Sequence, residues 1–207
     1  MSLVVAATAF LVILPIELPD KTFIATLVLA TRYRPLPVWI GVSAAFLIQT
    51  VVAVTLGGLI SALPRAPVEI FAGLIFLAGG LILIRGAGTA DTEEADTEEE
   101  IEAKANAKAG IHGWQVVGTS FLVLFVAEWG DLSQLLTAGL VVKYQDPVSV
   151  GVGAFLGLVT VSALGAVLGR TLLRWMKLVT IRRIGGGVCL LLAMLSLLQV
   201  ADGAIGH

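Results

Sequence analysis

Apolar residues run through this chain in six long stretches that polar residues barely interrupt. The first extends from about Leu3 to Ala30 and is broken once, by Glu17-Leu18-Pro19-Asp20-Lys21-Thr22. The second covers Val38 to Leu63 and the third Val68 to Ile84. The fourth, from Trp114 to Val142, is broken by Glu128-Trp129-Gly130-Asp131-Leu132-Ser133-Gln134. The fifth covers Val148 to Leu168 and the sixth Ile184 to Val200. A helix crossing about 30 Å of hydrocarbon needs about 20 mostly apolar residues. Barrel strands would be about 10 residues long and would alternate in polarity. The pattern therefore predicts an all-α membrane protein with six transmembrane helices. The first residues, MSLVVAATAF, carry no basic region, so the first stretch is expected to be a mature helix and not a cleaved signal.

Composition agrees with this reading and removes several functions. Of 207 residues, 57% are hydrophobic and 14% charged, and the mean hydropathy is +0.98. Soluble domains are about 45–50% apolar and about 25% charged. A nucleic-acid binder would need a basic face, so no nucleic-acid partner is expected; the membrane lipid is one. The single cysteine, Cys189, excludes a disulfide framework. It is expected to be a small residue facing lipid or core.

The formal net charge of −2 conceals a strong segregation. Residues 86–113 hold eight acids against Lys104 and Lys108, whereas the rest of the chain has 11 Lys and Arg against 7 acids. The chain thus divides into 1–85, an acidic linker at 86–113, and 114–207. Within the linker, Thr97 and Glu100 have capping-box spacing, and the order of acids before lysines suits a helix dipole. A solvated spacer is the plain reading; a cation-attracting or regulatory segment is the alternative. The loops after the first, third and fifth stretches collect Arg32, Arg34, Arg85, Arg170, Arg174, Lys177, Arg182 and Arg183 with the linker lysines, whereas the opposite side has Arg65 and Lys143. Positive loops stay inside. The linker is therefore expected in the cytoplasm, both termini outside, and the whole in a bacterial inner (plasma) membrane. The cluster from Arg170 to Arg183 reads as anchors, with anionic lipid binding as a second use.

The two polar interruptions resemble each other at an offset of 111 residues, Glu17 matching Glu128 and Asp20 matching Asp131. Each is followed by an apolar stretch, a turn with proline and two further spans. At the same offset Gln49 matches Thr160. A repeat of three spans is odd-numbered, so its second copy enters from the other side. The prediction is a pair of inverted three-helix repeats, which bring equivalent mid-membrane residues together where transporters bind their ions.

Glu and Asp at i, i+3 share one helix face. Two such pairs give four carboxylates around one point, each costing roughly 2.5–3.5 kcal/mol to insert. Protons or a cation must compensate them. Carboxylate, carbonyl and hydroxyl oxygens are hard ligands for Ca²⁺, Mn²⁺ or Mg²⁺. Thr22, Ser133 and Gln134 can add neutral oxygens, or can simply bond to backbone. No His or Cys is near, and His112 and His207 make no metal pair. Burial and like charge both oppose ionisation of clustered carboxylates, and metal binding expels protons from the same oxygens. Opened alternately to each side, such a site is a cation/proton antiporter. Pro15, Pro19 and Gly130 interrupt the helices and free carbonyls toward a cavity. Lys21, at i, i+4 from Glu17, is a counter-ion or an interfacial support. Gln49 and Thr160 are supporting groups around the ion or polar glue between helices. Glycine pairs such as Gly153/Gly157 and Gly165/Gly169 suit close helix packing.

The paired motif resembles the E-x-G-D-[KR]-[ST] signature of small six-helix divalent-cation/proton antiporters, a family that includes Golgi calcium/manganese transporters and bacterial and plastid manganese transporters. The likeness covers nearly the whole chain. It implies that Glu17, Asp20, Glu128 and Asp131 bind transported Mn²⁺ or Ca²⁺ and couple it to protons, with Thr22, Gly130, Ser133 and Gln134 at matching motif positions. Pro19 stands where the family has Gly, and Leu132 where it has Lys or Arg, which leaves the site one charge more negative. No cofactor is implied. Rival functions fit the residues less well. A zinc protease needs H-E-x-x-H, a thiol oxidoreductase two cysteines, and a haem carrier histidines within the spans. An intramembrane aspartyl protease could use Asp20 and Asp131 but leaves Glu17 and Glu128 unexplained. A passive divalent-cation channel, or an exporter without proton coupling, is the nearer alternative. A homo-oligomer is left open.

Overall fold

The computed structural model describes residues 1–18, 20–62, 65–89, 95–97, 99–103, 110–175 and 178–205. Among these there are helices and turns but no strands, as the uniform apolar stretches require. The helices are α1 (Leu3–Glu17), α2 (Lys21–Arg32), α3 (Pro35–Ser61), α4 (Arg65–Gly86), α5 (Trp114–Ala127), α6 (Leu132–Tyr144), α7 (Pro147–Trp175) and α8 (Leu178–Ile205), with a short 3₁₀ turn at Ala87–Thr89 after α4.

The helix starts follow local chemistry. Ser2 caps α1 by accepting from the Val5 N–H. Pro35 and Pro147 open α3 and α7, where a missing N–H costs nothing and the fixed φ suits the first turn. Asp146 accepts from both the Ser149 N–H, at 3.0 Å, and the Ser149 hydroxyl. The Ser2 N–H donates to Asp146 Oδ2 and Ser149 Oγ, tying the start of α1 to the start of α7.

Among the described residues, three helices are long and apolar enough to cross a membrane: Pro35–Ser61, Ile70–Thr89 and Pro147–Leu168. The first and fourth apolar stretches are not straight spans. Leu3–Glu17 meets Thr22–Arg32 at 70°, and Trp114–Ala127 meets Leu132–Tyr144 at 72°. Counting each bent pair once gives five. The sixth stretch lies in α8, whose apolar part, Arg183–Leu198, is shorter than the three long spans. Large apolar side chains stand exposed along these helices, among them Leu47 and Val51 of α3, Leu74 and Ile82 of α4, and Leu156 and Val167 of α7. A water-facing surface would not carry such a belt; a lipid-facing one does.

The two halves are not separate bodies. The main packing runs between them: α1 with α7, α3 with α5, α6 and α7, and α4 with α8. These contacts come in matched sets. The α1–α7 seam corresponds to α5–α3, and α2–α7 to α6–α3. One polar tie crosses between the halves, Trp39 Nε1 donating to the Val159 carbonyl, and another lies within the second half, Lys143 Nζ donating to Ser196 Oγ. Cys189 is fully buried and belongs to the core.

One expectation about the linker changes. Residues 95–97 are already helical, so Thr97 is a helical residue and not a cap. Thr97 and Ile101 are buried and Glu102 pairs with Arg32 at 3.5 Å, while Ala95, Asp96, Glu99, Glu100 and Ala103 are exposed. Lys104, Lys108, Lys177, His207 and the side chains of Arg170, Arg174 and Arg182 lie outside the described residues.

Candidate functional site

The two motifs form the two helix breaks, and both breaks are closed alike. The Asp20 N–H donates to the Glu17 carbonyl at 3.1 Å, and the Asp131 N–H donates to the Glu128 carbonyl at 3.3 Å. Each turn therefore presents its Glu at the end of one helix and its Asp at the start of the next. Asp131 caps α6, accepting from the Ser133 N–H at 3.2 Å. Gly130 holds the second break open with φ 79°, a left-handed conformation that favours glycine. Pro19 occupies the matching sequence position and, with the Lys21 side chain, lies outside the described residues.

The breaks meet. Glu17, Asp20 and Asp131 each offer a carboxylate oxygen, and these oxygens lie within 4.8 Å of one another. Glu17 is fully buried and Glu128 is 3% exposed. Glu128 belongs to the same break as Asp131, whose N–H its carbonyl accepts. Among the described residues, neither oxygen of Glu17 nor the buried Thr22 hydroxyl meets a hydrogen-bond partner. A buried polar group left unpaired costs about 1–3 kcal/mol, and a charged one more. Three convergent carboxylates with a fully desolvated member are a chemically matched receptacle for a hard cation or for protons.

The neutral members of the motifs divide by role. Gln134 donates from Nε2 to the Glu128 carbonyl at 2.7 Å, while its Oε1 accepts from the Gly130 N–H at 3.4 Å. Its amide is a brace across the second break, with both ends engaged. Ser133 is buried and supplies the N–H that fixes Asp131. Gln49 of α3 donates to the Phe125 carbonyl at 3.2 Å, anchoring α5 one turn before Glu128. Thr160 is different: its hydroxyl donates to Leu156 of its own helix, so it is not the counterpart of Gln49.

The reason is one extra residue. The 111-residue offset holds through Tyr33 and Tyr144, but Pro35 corresponds to Pro147, at 112. The second turn has Gln145, at φ 53°, as its added residue. The third and seventh helices therefore align Gln49 with Val161 and Thr50 with Ser162. Thr50 and Ser162 are both buried hydroxyls that spacing at 111 passed over. The Thr50 and Ser120 hydroxyls meet no hydrogen-bond partner among the described residues. The shifted proline is the sequence signal that would have found the Thr50–Ser162 pair.

Comparison with known proteins gives the chain a family. Residues 5–91 and 116–204 match the family model described as divalent cation/proton antiporter GDT1. A GDT1-like protein of Synechocystis is 32% identical over 198 residues, covering 92% of this chain and 96% of that protein. The chloroplastic GDT1-like protein 2 of Oryza sativa subsp. japonica is 30% identical, covering 90% of this chain and 58% of its own. Protein PAM71, chloroplastic, of Arabidopsis thaliana is 29% identical over 94% of this chain and 56% of its own. The chain thus spans almost all of the cyanobacterial relative and less than two thirds of these two plant ones. No solved structure matches it. The family consists of transporters and not enzymes; with its two matched segments falling on the two halves that carry the paired breaks, the chain belongs to the GDT1 family of divalent cation/proton antiporters.

Proposed function

We propose that this integral membrane protein exchanges Mn²⁺ or Ca²⁺ for protons at the meeting point of the two helix breaks. The observation that carries the reading is the convergence of Glu17, Asp20 and Asp131 within 4.8 Å. Glu17 and Asp131 come from different halves of the chain, so a movement of one half against the other makes or unmakes the cluster. Glu128 adds a fourth charge, and carbonyls exposed at the breaks add neutral oxygens. Cation and protons compete for the same oxygens, which couples their movements in opposite directions.

Residues 1–85 and 114–207 act as inverted repeats around the site. The matched closing bonds, the near-equal bends and the paired inter-half contacts support this reading. So does the family's antiporter chemistry. By the distribution of arginine and lysine, the linker lies in the cytoplasm of a bacterial inner membrane and both termini outside, with α8 as the sixth span. Gln134, Gln49 and Ser133 position the carboxylates, and Thr22 offers a hydroxyl beside Glu17.

Reconstitution in liposomes with an enclosed metal dye and an imposed pH gradient tests the proposal. Mn²⁺ or Ca²⁺ flux should follow the gradient and reverse with it. Flux indifferent to the gradient overturns proton coupling.

A further inference from the structure

A second site lies at the end of the bundle that carries Arg32 and Arg34. We propose that the cavity between the α2–α3 turn and the start of α5 binds the phosphate of an anionic phospholipid headgroup, in competition with the linker carboxylate of Glu102. The cavity measures about 660 Å³ and is walled by Arg32, Tyr33, Arg34, Ile111, His112 and Gly113. No acid lies among its described lining residues. Arg32 pairs with Glu102 at 3.5 Å, with both side chains more than two fifths exposed. Arg34 has no ion-pair partner among the described residues. Among the described residues, one of the two guanidinium groups thus meets no carboxylate, and the other holds a replaceable partner.

The backbone adds to this field. α3 and α5 begin at the cavity wall, at Arg34 and Gly113, and neither start has a side-chain cap. Helix N-termini carry partial positive charge and attract anions. Glu102 shows that the rim accepts an oxyanion. A phosphate offers more oxygens to the guanidinium forks than a single distant carboxylate contact, and Arg–phosphate pairs are among the stronger charge-assisted bonds.

The surroundings favour a lipid as the source of that phosphate. Trp114, at 83% exposure, and Leu36, at 63%, flank the cavity on the outside of the bundle. Exposed tryptophan at a helix end marks the headgroup level, and apolar surface beside the mouth accommodates acyl chains. Basic pockets between spans on the cytoplasmic side have the chemistry to hold such headgroups. The linker segment is itself docked through the buried Ile101, so Glu102 is held near the rim as a standing competitor.

The test uses the purified full chain in neutral detergent, with short-chain phosphatidylglycerol, phosphatidylcholine and inorganic phosphate as separate probes. Phosphatidylglycerol should bind, with the other two much weaker. Arg34→Gln should weaken phosphatidylglycerol binding about fivefold, the effect of one cation near an anionic headgroup. Glu102→Gln should tighten it. A thermal shift by divalent cation retained in both variants shows that the fold and the carboxylate cluster are intact. Unchanged affinity in Arg34→Gln overturns the site, inorganic phosphate binding as well as phosphatidylglycerol overturns the lipid assignment, and unchanged affinity in Glu102→Gln overturns the competition.

Discussion

The carbonyl oxygen of Val117 in α5 fills the space that a Cβ on Gly41 of α3 would need. The relationship has a counterpart in the other half, where the Ala6 carbonyl of α1 stands against Gly153 of α7. Helix backbones touch at these two seams, and each seam holds the helix that ends in a site glutamate. Gly41→Ala and Gly153→Ala should each push a backbone aside, at a cost of about 1–3 kcal/mol. Gly58 faces open space, so Gly58→Ala should be neutral or slightly stabilising. Thermal unfolding in detergent distinguishes them; equal midpoints for all three would contradict the close approach.

Glu17→Gln removes the most buried charge while keeping its shape. Its flux in liposomes should fall about tenfold or more, the scale of losing an interaction of about 1.5–3 kcal/mol with a charged group. Its unfolding midpoint without divalent cation should not fall, because Gln keeps the shape of a side chain that meets no hydrogen-bond partner among the described residues. A cation that binds the folded state raises the midpoint with concentration. That rise should be present in the native protein and reduced in Glu17→Gln and Asp131→Asn.

Gln134 braces the second break from both ends of its amide. Gln134→Ala should cost about 1 kcal/mol of stability, a typical net hydrogen bond, and should weaken the cation-dependent stabilisation less than Asp131→Asn does. Gly130→Ala attacks the same turn through the backbone, since φ 79° strains any residue with a Cβ by about 1–2 kcal/mol. If Gln134→Ala abolished cation binding as fully as loss of Asp131, Gln134 would be a ligand and not a brace. Titration of the thermal shift with Mn²⁺ separates the two.

The Ser149 hydroxyl, with the Ser149 and Ser2 N–H groups, holds the Asp146 carboxyl below its ordinary value of 3.8. A carboxyl lowered in the folded protein contributes stability above its unfolded value, and that contribution disappears as pH falls through the folded value. The native chain should therefore lose more stability than Asp146→Asn as pH drops from about 5 toward and below 3.8, and little difference should appear in the pH dependence from 5 to 7. Unfolding midpoints measured across this range check the sign.

The order of apolar stretches and the two acidic interruptions were legible along the chain, because lipid demands long apolar helices and tolerates buried acids only where something compensates them. The repeat was legible for the same reason: Glu17 with Asp20, and Glu128 with Asp131, are costly residues at one spacing. Four matters needed the tertiary structure. The motif helices bend by 70° and 72°, which periodicity cannot express, because hydropathy is the same on a straight and a broken span. Gln134 turns inward to its own break, and Thr160 bonds its own helix, since hydrogen-bond direction depends on rotamer and neighbours. The added Gln145 shifts one helix by a residue and exchanges Thr50 and Ser162 for Gln49 and Thr160 as the matched pair. Finally, Glu17, Asp20 and Asp131 meet because α1 packs on α7 while α5 packs on α3. Sequence by itself determined which residues were too costly to be idle; only packing between the halves decided which of their oxygens face one another.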